Sequence, residues 1–156
     1  MYPLVLTLHS WLRWIVVLAG VVIVVRFLAG WLGKRDWQML DARLATVFPM
    51  LLNIQLLIGL LLYFVASPIT TGALKNFGAA MSNAITRFYA VEHLFIMLVA
   101  LVVVHVGTIL VKRRSATPAR FRLGTILFGL AVLFILLAIP WPFVSAGANR
   151  PWFRLG

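Results

Sequence analysis

The chain has 156 residues and no cysteine; 63% of it is hydrophobic, only 11% is charged, and the mean hydropathy is +1.06. A water-soluble domain carries about a quarter charged residues and just under half apolar ones. This composition therefore describes a membrane protein, and it excludes nucleotide-binding α/β folds, disulfide frameworks and thiolate metal sites. The net charge of +11 lies mostly at the ends of apolar runs, where anionic headgroups and the positive-inside rule account for it without nucleic acid.

Four apolar runs follow in chain order, over about 4–31, 44–64, 90–111 and 123–140. Each is near the roughly 20 residues that cross a bilayer, and none alternates with the two-residue period of a barrel strand. The expectation is an all-α fold, one domain over 1–156 forming a four-helix transmembrane bundle. The start MYPLVLTLHS has no basic region and no small-residue cleavage site follows, so the first run reads as a retained span. The stretch from Ser67 to Arg87 is the longest connection and suggests a short interfacial helix over Gly72 to Met81. Pro140 ends the fourth run, because proline lacks a backbone donor and clashes with the preceding turn.

Basic residues set the orientation. Lys34, Arg35 and Arg43 follow the first run, and Lys112, Arg113, Arg114, Arg120 and Arg122 follow the third. Arg13, Lys75, Arg87, Arg150 and Arg154 are spread more thinly on the other side. The denser side is expected to be cytoplasmic, with both termini outside. Trp11, Trp14, Trp141 and Trp152 would mark the outer interface, and Trp31 and Trp37 the inner one.

Polar groups inside a membrane are costly, so each is a functional candidate. Those inside the apolar runs are His9, Arg13, Asn53, Gln55, Glu92, His93 and His105. His9 and His93 stand near the starts of two runs that enter from the same side, with an axial offset of about 6 to 8 Å at 1.5 Å per residue. Two imidazoles at one depth on nonconsecutive helices suit axial ligation of a heme iron. Arg13, four residues after His9, shares its face and could pair with a propionate, and Arg87 is a second candidate for that role. Gly20 on the His9 face would leave room for a macrocycle or a close helix contact, and Met97 and Ala100 share the His93 face. The competing reading makes His9 an interfacial histidine and His93 a hydrogen-bonded bundle residue.

His105 lies about 120° around and about 18 Å along the helix from His93, so the two cannot serve one stacked pair of hemes. Asn53 is at the depth of His105 and could hydrogen-bond to it; a second heme would need another ligand. Glu92 could pair with Arg13 or Arg87, or move protons near a quinone. Gln55 and Gly59 read as contact residues between helices.

The segments LHSWLRW (Leu8 to Trp14), NIQLLIG (Asn53 to Gly59), RFYAVEH (Arg87 to His93), VHVG (Val104 to Gly107), IPWPF (Ile139 to Phe143) and RPWF (Arg150 to Phe153) together resemble a family of small bacterial four-helix membrane proteins labelled cytochrome b. In architecture the chain is also similar to cytochrome b561 proteins, which pass electrons between quinols and acceptors. The resemblance implies b-type heme, membrane electron transfer linked to quinone, and residence in the bacterial inner membrane. It also implies histidine in relatives at the position of Asn53, so this chain departs from a two-heme pattern. The expectation is one heme b held by His9 and His93, with protein partners in a respiratory or photosynthetic assembly or a homo-oligomer within the bilayer. The rivals are a cofactor-free accessory subunit and a proton path through Glu92, Arg13 and Asn53.

Overall fold

The computed structural model describes residues 1–148 and 151–153; Arg150 and Arg154 lie outside them. The elements in order are α1 (Tyr2–Leu32), α2 (Met39–Leu61), a wide π turn (Leu62–Ala66), α3 (Pro68–Lys75), α4 (Phe77–Ser82), α5 (Ala84–Arg87), a second π turn (Phe88–Glu92), α6 (His93–Arg113) and α7 (Thr117–Ala138). Four continuous helical stretches, Tyr2–Leu32, Met39–Ala66, Ala84–Arg113 and Thr117–Ala138, are long and apolar enough to cross a membrane. The chain is an all-α, multi-pass membrane bundle.

The boundaries differ from the hydropathy reading where polar residues continue a helix. α2 starts at Met39 instead of 44, because Asp41 in its first turn accepts the Gln38 N–H at 2.8 Å. An acid there also meets the positive end of the helix dipole. The suggested interfacial helix over 72–81 is two short helices, broken at Asn76, whose side chain caps the second through the Ala79 N–H.

α1 packs on α2 and α7, and α6 packs on α7 and α2. The buried positions recur every three or four residues: Val16, Ile23 and Phe27 on α1; Ala45, Phe48 and Leu52 on α2; Ala100, Val104 and Val111 on α6; Phe121, Phe128, Ala131 and Ile135 on α7. The opposite faces expose Leu18, Leu57, Val102 and Leu133, which suits hydrocarbon as the surrounding medium. In lipid, close packing takes over from the hydrophobic effect as the main attraction between helices. α1 and α7 achieve it reciprocally: Phe27 sits where a Gly124 side chain would stand, and Phe121 where a Gly30 side chain would stand. Gly20 serves the same purpose. A Cβ there would meet Val132 at 2.8 Å and Phe48 at 3.2 Å, so Gly20 is a helix contact and leaves no clearance for a macrocycle.

The end that carries the α1–α2 and α6–α7 connections is locked by charge. Asp41 is fully buried and accepts from Arg26 Nε at 2.7 Å and from both terminal nitrogens of Arg35 at 2.8 Å. Arg26 also donates to Gln38 Oε1 at 3.1 Å. The Arg35 guanidinium lies 4.6 Å from the Phe121 ring centre, and Asp41 pushes its pKa above the ordinary arginine value, first through the hydrogen bond. Asp41 is thus an acid within a spanning stretch as Glu92 is, and Arg26 joins the intramembrane polar residues named from the sequence. Removing the carboxylate leaves two facing guanidiniums. Because both arginines keep about a quarter of their side-chain surface exposed, Asp41→Ala should cost about 2 to 3 kcal/mol, below the figure for a wholly buried pair. Unfolding in detergent micelles measures this, and a loss under about 0.5 kcal/mol would contradict the assignment.

Candidate functional site

The opposite end of the bundle is open. Here the first π turn faces the second, and Tyr63 Oη donates to the Ala90 carbonyl at 2.7 Å. Thr70, buried on α3, donates to the Tyr63 carbonyl at 2.8 Å and ties that helix to the first turn. π turns inside α-helices recur at functional sites. The second one ends at Glu92, so His93 is the first residue of regular α6.

Two prolines near the end of α7 determine what His93 binds. Proline has no N–H, so Pro140 and Pro142 leave the carbonyls of Leu136 and Ala138, each four residues earlier, without helical partners. The Trp141 indole N–H donates to the Leu136 carbonyl at 2.8 Å. His93 Nδ1 donates to the Ala138 carbonyl at 2.8 Å. With its proton on Nδ1, the neutral His93 ring keeps a lone pair on Nε2. That nitrogen has no hydrogen-bond partner among the described residues.

The His9 ring, from α1, lies with its centre 6.4 Å from that of His93 and its plane turned by 71°. Gln55 on α2 donates to the His9 carbonyl at 3.0 Å and touches His9 Nε2 at 3.3 Å. Gly59, one turn later, makes space for the ring: a Cβ there would approach His9 Cε1 to 3.2 Å. Gln55 and Gly59 therefore form the seat of His9 on α2.

Both rings line one cavity, together with Arg13, Gln55, Tyr63 and Met97. The cavity has a volume of about 150 Å³ and opens at one side. At the mouth stand Trp14, Trp141 and Trp152, with ring centres 5.6 to 6.3 Å apart. The Trp152 carbonyl accepts from Arg13 and from the Trp14 indole, each at 3.1 Å. Tyr89 Oη donates to the Ala146 carbonyl at 2.6 Å and fastens the segment that follows α7. Four buried polar atoms near this end have no hydrogen-bond partner among the described residues: Thr7 Oγ1, His9 Nδ1, Arg13 Nε and Gln55 Oε1.

The structure thus brings together His9, His93 and Arg13. It does not bring Arg87 to the cavity: the guanidinium holds Glu92 at 2.7 Å, and both side chains are over 40% exposed. That geometry makes Glu92 an ion-pair partner rather than a desolvated acid. Asn53 and His105 do not meet either. His105 Nδ1 donates to the Leu101 carbonyl one turn back at 2.8 Å, and no hydrogen bond to Asn53 occurs among the described residues. His105 is anchored on its own helix, and among the described residues no second histidine stands beside it. Gln55 has a part in the site that its sequence position did not reveal, since a buried amide four residues before glycine reads equally well as a helix contact.

Comparison with protein-family models, curated proteins and solved structures finds no significant match.

The role of the two prolines is open to test. In Pro140→Ala/Pro142→Ala the restored N–H groups should let α7 run on for about one turn, with the carbonyls of Leu136 and Ala138 bonding within the helix. Far-ultraviolet circular dichroism should then gain helical signal, and tryptophan emission should shift to the red as Trp141 leaves its place. Spectra identical to those of the unaltered protein would contradict the assignment.

Proposed function

We propose that this protein is a b-type membrane cytochrome that binds one heme between His9 and His93 and exchanges electrons near one membrane surface. The observation that carries the reading is the convergence of two imidazoles from nonconsecutive helices. The 6.4 Å between ring centres is a spacing that two imidazoles ligating one metal could adopt, each nitrogen about 2 Å from it. His93 is oriented as metal ligands are, with its other nitrogen donating to a carbonyl. The resemblance of LHSWLRW and RFYAVEH to a cytochrome b family supports the same reading.

A bound heme would supply a one-electron redox centre. His93 would hold it from α6 and His9 from α1. Arg13, with its Nε unpartnered, would neutralise carboxylates at the mouth. The lining, two imidazoles and Arg13 among apolar and aromatic side chains, has the donor set that a tetrapyrrole needs, while the cavity volume of about 150 Å³ is below the roughly 300–1,000 Å³ of ligand pockets. The tryptophan cluster at the mouth therefore has to yield when the group enters.

The excess of basic residues at the locked end favours placing that end in the cytoplasm of a bacterial cell, with the cavity and both termini outside. At that depth the donor or acceptor would be a quinol in the outer leaflet or a partner subunit. With a single redox centre at one surface, the protein would serve as one step of a larger chain and would not move an electron across the whole bilayer alone.

The protein purified from membranes should show a Soret band, and dithionite should sharpen an α band at the b-type position. His93→Ala should abolish both. His9→Ala should keep part of the heme in altered coordination, and tryptophan emission should be quenched in every heme-loaded form. A folded, colourless preparation would overturn the reading and favour a cofactor-free accessory subunit.

A further inference from the structure

The two histidines are held differently, and that difference extends the proposed heme site, on which the following rests. The Gln55 side-chain nitrogen lies 3.0 Å from the His9 carbonyl. A carbonyl only accepts, so this atom is the amide N–H donor, and an amide nitrogen does not accept hydrogen bonds. The same nitrogen lies 3.3 Å from His9 Nε2, which must therefore be the acceptor. A neutral His9 ring consequently carries its proton on Nδ1.

That proton has nowhere to go. His9 Nδ1 is buried without a partner, whereas His93 Nδ1 is anchored on the Ala138 carbonyl. A ligating histidine ordinarily donates its second nitrogen to an oxygen, which fixes the ring and raises its basicity. His93 has this support. His9 lacks it, and its lone pair is shared with the Gln55 amide. The contact at Gly59 keeps the ring against α2, beside that amide.

We propose that Gln55 is a positioning residue that holds the Nε2 lone pair of His9, so that of the two histidines that would hold the heme His9 is the one that yields its place to a small uncharged ligand of diatomic size. The incoming ligand would displace His9 with no electron transferred. The His9 lone pair returns to the Gln55 N–H. Leu6, Leu52 and Leu56 line the same cavity and leave room for an uncharged ligand.

Carbon monoxide is the probe, added to the dithionite-reduced protein in detergent, with the shift of the Soret band followed in time. The unaltered protein should take it up fully. Gln55→Leu, which removes the N–H and brings no ligating atom, should slow uptake at least tenfold because His9 then stays on the iron. Gln55→Ala should act in the same direction and serves if the leucine variant does not fold. In the His9→Ala background uptake should be fast, and Gln55→Leu should change it less than twofold. A merely structural role for Gln55 would slow both backgrounds alike. A heme-loaded protein that ignores carbon monoxide, or one whose uptake rate is the same with Gln55 or Leu, overturns this inference alone. A protein without a Soret band overturns the heme reading and this inference with it.

Discussion

Two imidazoles with ring centres 6.4 Å apart inside an apolar bundle impose a demand that the rest of this end of the molecule meets. Neither ring can be charged there cheaply, and each ring nitrogen needs a partner or a bound group. One nitrogen of His93 is satisfied by a carbonyl that Pro142 has freed. His9 leans on Gln55, and its other nitrogen is left open. The arrangement is polar, incompletely satisfied and lodged in a cavity, which are the properties of a site rather than of a packed core.

The bundle divides its labour along its length. At the basic end, aromatic rings fill the gaps left by glycines, and Asp41 is tied by Arg26 and Arg35. These contacts join α1, α2 and α7 closely. At the other end, two π turns and three short helices stand where tight packing would otherwise continue, and the helices enclose a cavity instead. A rigid base of this kind can hold α1 and α6 in register while the mouth remains adjustable. The tryptophans at the mouth suit that place, because an indole can pack on apolar surface and still donate its N–H.

Much of the fold was legible because lipid imposes simple rules. Apolar runs of spanning length, broken by basic connections, define the four helices, although three of them start five or six residues before the run. The errors came where polar residues prolong a helix: Asp41 belongs to α2 although it precedes the apolar run, because its charge is cancelled by arginines that hydropathy treats separately. His9 and His93 were legible as a pair by depth alone. Their meeting depends on how α1, α6 and α7 are rotated about their axes, which periodicity in such uniformly apolar helices does not fix. The carbonyls freed by Pro140 and Pro142 were implicit in the order of the residues, but their acceptance of Trp141 and His93 is a tertiary fact. Arg87 and Glu92 appeared as candidates for the site because both are charged; being five residues apart on one continuous helical stretch, they satisfy each other at its surface instead.

The proposed site holds one heme per chain, where His9 and His93 converge. The ratio of pyridine hemochrome b to protein, taken together with the iron content of the same purified sample, measures this. One heme and one iron per chain is the expected result. A ratio near zero in folded protein, or a ratio of two, would contradict it.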